Sequence, residues 1–148
     1  MSDHFVKIIP NDPYFCISGQ QAQVVVQYLK LNVKADAVEA SMHDHLSFVD
    51  CGANLTSISC PYCNSLLTFD WWGNAMNRAF NDHFESLSVQ LPCCGADSTL
   101  NDLLYDFPCG FAFVEFVITN PVTEVKEGIL SAIHNLLGIT VRVIHAYL

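Results

Sequence analysis

The alternation of apolar and polar residues divides the chain into short segments. Residues 5–9, FVKII, read as a strand that stops at Pro10, and NDPY supplies turn chemistry behind it. Ser18 followed three residues later by Gln21 is a capping-box pattern. It opens a helix over residues 19–31 with Ala22, Val25, Val26 and Leu29 as its apolar stripe. Residues 33–45 have no single period, and a second short helix is one reading of them. LSFVDCG, residues 46–52, reads as a brief strand ending at Gly52.

The middle of the chain is less regular. Asp70 is placed to cap a helix carrying Trp72, Ala75, Met76, Ala79 and Phe80 at helical spacing. SLSVQL alternates, with Leu87, Val89 and Leu91 on one face, and STLNDLLYDFPCG reads as a turn or a short helix. Residues 111–119, FAFVEFVIT, are apolar on both faces apart from Glu115, as in a central strand. Asn120 is placed to cap a helix starting at Pro121, carrying Val125, Ile129, Ile133 and Leu136 and ending at Gly138. ITVRVIHAYL closes the chain as a strand. The last three elements form a strand–helix–strand unit long enough for a crossover between parallel strands. The pattern predicts an α+β or α/β fold with a mixed sheet, packing helices and a zinc-ribbon-like insertion. There is one domain over residues 1–148, with the insertion at about 51–110.

Composition narrows the function. Apolar residues make up 51% and charged residues 14%, below the roughly 25% of ordinary domains, so part of the surface is uncharged or covered, and a homo-oligomer or a complex fits. Fifteen acids against six bases give a net charge of −9. That balance repels a phosphate backbone and attracts a basic partner, which speaks against nucleic acid. The start, MSDHFVKIIPNDPYF, lacks the basic and apolar regions of a secretory signal, and no stretch approaches a membrane span, so a cytoplasmic location is expected. Seven cysteines in such a setting are expected to be reduced.

Four of the cysteines cluster. Cys60 and Cys63 have the two-residue gap that lets a tight turn present two thiolates to one tetrahedral ion. Cys93 and Cys94, between Pro92 and Gly95, supply two more, and four soft ligands make Zn the natural occupant. Adjacent side chains in extended backbone diverge, so both can bind only if the chain turns sharply between them. Otherwise Cys51, Cys109 or His83 replaces one of them. Four buried reduced cysteines, and a Cys93–Cys94 disulfide, are the competing readings. A closed four-thiolate shell leaves no position for water, which makes the metal a structural staple rather than a catalyst. Thiol redox chemistry at CPYC would require the motif to open a helix after a strand.

Other polar groups carry weaker signals. His43, Asp44 and His45 suit either a metal-dependent enzyme site or a polar loop. Of Trp71 and Trp72, adjacent on a helix, one is expected to fill the core and the other to cover the knuckle. Asn101, Asp102, Tyr105 and Asp106 form a compact group suited to a contact surface, although turn capping accounts for Asn101 and Asp102 equally well. Arg142 and His145 lie three apart on the final strand and face opposite sides. No phosphate loop, nucleophile elbow or paired-carboxylate pattern is present.

The succession FVDCGANLTSISCPYC, DWW, LPCCG, TLNDLLYDFPCGFAFVEFVITNP and LGITVRVIHAYL resembles a group of small bacterial proteins of unassigned function with a CPxC...PCCG zinc-knuckle pattern. The resemblance covers most of the chain. It implies a compact zinc-knuckle protein and brings no activity or substrate; a small residue is expected in place of Cys109. Two functions follow from the residues. One is a non-enzymatic, zinc-stabilised interaction protein, including an immunity or antitoxin-type inhibitor of a basic toxin domain. The alternative is a metal-dependent enzyme or thiol redox protein using the histidines or CPYC.

Overall fold

A computed structural model describes residues 3–147; Met1, Ser2 and Leu148, the ends of the predicted N-terminal segment and of the last predicted strand, lie outside the described residues. The fold is α+β. In order it runs β1 (His4–Pro10), α1 (Gly19–Asn32), β2 (Ala37–Val49), β3 (Ile58–Ser59), β4 (Leu66–Leu67), α2 (Phe69–Asn81), β5 (Ser88–Gln90), β6 (Asp97–Thr99), β7 (Leu104–Tyr105), β8 (Gly110–Thr119), α3 (Glu127–Leu137) and β9 (Val141–Tyr147). Four strands form the main sheet in the order β2-β8-β1-β9.

Every ladder of that sheet is antiparallel, where the sequence suggests a mixed sheet. β8 and β9 do run parallel across α3, but β1 lies between them, and β8 in turn lies between β1 and β2. The result is two interleaved split β-α-β units. The register sets Ile8 between Phe116 and Val143. Val6, Ile8, Val114, Phe116 and Ile118 thus share one face, covered by Val25, Val26 and Leu29 of α1 and by Ile133 and Leu137 of α3. Each such burial contributes roughly 1.5–3 kcal/mol.

The stretch from Asp50 to Cys109 is inserted between β2 and β8 and packs through a second cluster. Leu46, Ile58, Leu67, Ala75, Phe84, Leu91, Leu100 and Phe111 belong to it, so β8 feeds both cores and reads as apolar on both faces. A third cluster, Ile9, Val49, Cys51, Cys109, Ala112 and Ile144, fastens both ends of the insertion to the sheet.

Three local expectations change. Residues 37–45 are strand, not helix: AVEASM has ordinary helix formers, but pairing from Ala37–Thr119 to Met42–Val114 overrides their propensity. Then β2 advances five residues to Ser47 while β8 advances two to Ala112, and the resulting bulge displaces residues 43–46. α2 is capped by the Thr68 hydroxyl accepting from the Trp71 N–H, with Asp70 in the first turn. α3 begins at Glu127 after Lys126, not at Pro121. Asn120 instead adopts φ 49°, accepts the His4 N–H at 2.8 Å and donates to Asp3 and Asp36. The Ser18–Gln21 capping box and the left-handed Gly138 terminator are present.

Candidate metal centre

The two cysteine stretches occupy equivalent loops. Residues 60–65, CPYCNS, join β3 to β4, and residues 91–96, LPCCGA, join β5 to β6. In the first, the Cys60 N–H donates to Ser65 O (2.9 Å) and the Asn64 N–H to Cys60 O (3.0 Å); in the second, the Leu91 N–H donates to Ala96 O (2.9 Å) and the Gly95 N–H to Leu91 O (2.9 Å). The residue after the second cysteine is left-handed in both, Asn64 at φ 61° and Gly95 at φ 73°. Asn and Gly are the residues that tolerate this conformation. Leu91 therefore holds the position of Cys60, and Cys93 that of Tyr62. This local repeat was readable in CPYCN against LPCCG, yet one missing cysteine masks it.

The turn between Cys93 and Cys94 resolves their geometry, bringing both sulfurs to the first loop. Cys60 Sγ lies 3.8 Å from Cys94 Sγ, and Cys63 Sγ 3.5 Å from Cys93 Sγ. All four sulfurs lie within 4.8 Å of one another. Zinc–sulfur bonds of about 2.3 Å in a regular tetrahedron set sulfurs about 3.8 Å apart, so the four fit one such ion. The Tyr62 and Cys63 N–H groups donate to Cys60 Sγ at 3.3 and 3.4 Å, offsetting thiolate charge. Hydrogen bonding with the Ser65 side chain and backbone, then with Cys93, brings the Cys63 thiol down to about 6. Cys60 is buried, while Cys63, Cys93 and Cys94 are exposed. Four close cysteines of this kind can coordinate a metal ion.

The substitutes considered for a fourth ligand stand elsewhere. Cys51 and Cys109 sit in the third apolar cluster, where burial raises both thiols. His83 stacks on His45 with ring centroids 4.7 Å apart. His43 turns to Glu115, its Nε2 3.8 Å from the carboxylate. His45 and His83 line a cleft of 520 Å³ with Leu46, Phe48, Met76 and Phe80, and His43 is not part of that lining. Among the described residues the histidines join no group of three or more metal-ligating side chains. CPYC lies in a hairpin turn and does not open a helix.

Asn101, Asp102, Tyr105 and Asp106 each make hydrogen bonds within the chain, Asn101 buried and the two aspartates exposed. Asn101, only 2% exposed, offers no contact surface, contrary to the reading of it as one. It accepts the Phe111 N–H and an Arg142 N–H and donates to Asn11 O. Arg142, unremarkable in sequence, donates to Asn11 Oδ1, to Asn101 and to Cys109 O at 2.7 Å, so a largely buried cation rests on amide oxygens. Burial lowers its pKa accordingly. Asp102 accepts from the Thr99 hydroxyl, and Tyr105 donates to Leu100 O while accepting the Trp72 indole N–H. Trp71 and Trp72 are both partly buried against the second cluster. Asp106 accepts from the Thr56 hydroxyl and the Thr56 and Ser57 N–H groups.

Among the described residues no helix is long and apolar enough to cross a membrane. No family model matches the chain, no curated protein matches it, and no solved structure matches it.

Proposed function

We propose that this chain is a non-enzymatic, cytoplasmic interaction protein in which one zinc ion, held by Cys60, Cys63, Cys93 and Cys94, clamps two hairpins into a rigid acidic module. The observation that carries the reading is the spacing of the four sulfurs, which suits a closed tetrahedral shell. Four thiolates leave no ligand position for water or substrate, so the ion supports geometry instead of activating a nucleophile.

The module's surface supports a basic protein as partner. Between Cys51 and Gly110 the acids are Asp70, Asp82, Glu85, Asp97, Asp102 and Asp106, and the sole Lys or Arg is Arg78. On the small sheet β4-β3-β7, Ser59 stands between Leu66 and Leu104, which are 74% and 46% exposed. Exposed apolar residues on a module of acidic balance steer and seat a basic surface, as an inhibitor of a basic toxin domain requires.

Metal analysis of protein prepared without chelator tests the ion: about one zinc per chain is expected, and its loss in Cys60→Ser. The partner half is tested by native co-purification followed by binary titration. A basic partner whose affinity falls with salt is expected; an acidic or salt-insensitive one overturns this assignment.

A further inference from the structure

Among the described residues β2 is an edge strand, hydrogen-bonded to β8 on one side alone, and its regular part runs from Ala37 to Met42 before the bulge. Exposed edges are ordinarily protected by Lys, Pro or cover. AVEASM has neither Lys nor Pro, and its one charge is Glu39. We propose that this edge pairs antiparallel with the same edge of a second copy, in the register that sets Ala40 opposite Ala40 across a two-fold axis.

Symmetry restricts the choice. A two-fold axis perpendicular to the sheet keeps each side chain on its own face, so paired positions have the same parity. With Ala40 at the axis, Val38 meets Met42, which is 50% exposed, on the helix-covered face, and Glu39 meets Ser41 on the other. One step back, centred on Glu39, two like charges face each other, which is destabilising. One step forward, centred on Ser41, Val38 meets Asp44 and the pairing enters the bulge. The middle register alone pairs Val38 to Met42 in full within the regular part of the strand, apolar on one face and free of like-charge contact on the other.

α1 packs on β2 and α3 on β9, so a second β2 brings a second α1 to the same layer of this flank.

The test is sedimentation of the full chain from low micromolar to several hundred micromolar, with amide exchange read at residues 38–42. A dimer with concentration-dependent protection of the alternate amides there, those that point away from β8, is expected. Ser41→Glu sets two like-charge pairs against Glu39 and raises the dimer dissociation constant about tenfold, whereas Ser41→Lys lowers it by a similar factor. A monomer throughout, or a dimer in which the outward-pointing amides of 38–42 gain no protection, overturns the proposal. Equal dissociation constants for the two variants overturn the register. Should either variant fail to fold by circular dichroism, the exchange measurement on the unmodified chain still decides. Zinc content and partner binding play no part in these outcomes.

Discussion

Cys63 Sγ lies 3.5 Å from Cys93 Sγ, although 30 residues separate them in the chain. That span contains α2 and the whole β5 strand, so the contact exists only once the second core has formed. A metal bound at this cluster would therefore be linked to folding of the insertion, since the unfolded chain presents no preformed site.

Chelation or Cys94→Ser is expected to lower the melting temperature on the order of 10 °C. Cys16→Ser, at an exposed cysteine outside the cluster, serves as the control and leaves it unchanged. Thermal melts with and without chelator check this; equal shifts for both variants would sink the metal assignment.

Leu91 stands where Cys60 stands in the other loop, and it is 1% exposed. Leu91→Ala is expected to cost about 2–5 kcal/mol through its cavity and to weaken metal retention by loosening the second loop. Gly95→Ala, forced to φ 73°, costs about 1–2 kcal/mol. Asn64→Gly at the matching position costs little, because glycine adopts that backbone freely. Denaturant unfolding of the three variants orders them.

The Asn101–Arg142 contact ties the insertion to β1 and β9. Asn101→Ala leaves the Phe111 N–H and part of the guanidinium without an acceptor and is expected to cost about 2–3 kcal/mol. A surface residue would change stability by about 0.5 kcal/mol or less. Gly110→Ala belongs to the same test, because a Cβ there would stand 2.6 Å from Arg142 Nη1 and 2.9 Å from Asn101 Oδ1. Urea midpoints distinguish the brace from a contact surface.

Asp106 is held down to about 2 by the Thr56 hydroxyl, then by the Ser57 and Thr56 N–H groups. Its folded pKa lies below the unfolded value of about 3.9. Its stabilisation is thus fully present above about pH 4 and is lost as pH falls toward 2. Asp106→Asn should flatten the stability profile in that window and leave the slope above pH 5 unaltered. Stability measured from pH 2 to 6 in both proteins is the check.

At the protein's His4, burial and then the neighbouring His145 lower the pKa. The imidazoles meet at 3.0 Å, His4 Nε2 to His145 Nδ1. Protonation of His4 is easier in the unfolded chain, so its contribution is present above about 6.5 and falls as pH drops below it. His145→Gln is expected to raise the His4 pKa, read by NMR titration of the ring protons.

Local chemistry made several elements legible before any fold was known. The Ser18–Gln21 box, the α1 stripe, the two-faced apolar run of β8 and Gly138 each depend on neighbours within a few residues, and each lies where its pattern puts it. Asn120 and Asp70 failed as caps because better-placed partners intervened: His4 holds the first in a left-handed turn, and the Thr68 hydroxyl reaches the helix N-terminus ahead of the second.

The sequence by itself determined the four candidate ligands, because their spacing and soft chemistry are properties of short stretches. Whether Cys93 and Cys94 can serve one ion, whether 37–45 is helix or strand, and whether Asn101 faces solvent were decided only by tertiary structure. Each depends on a partner far along the chain: the first loop for the thiols, β8 for the strand, Arg142 for the amide. Long-range pairing overrides local preference wherever the latter is worth less than the contacts it would forgo.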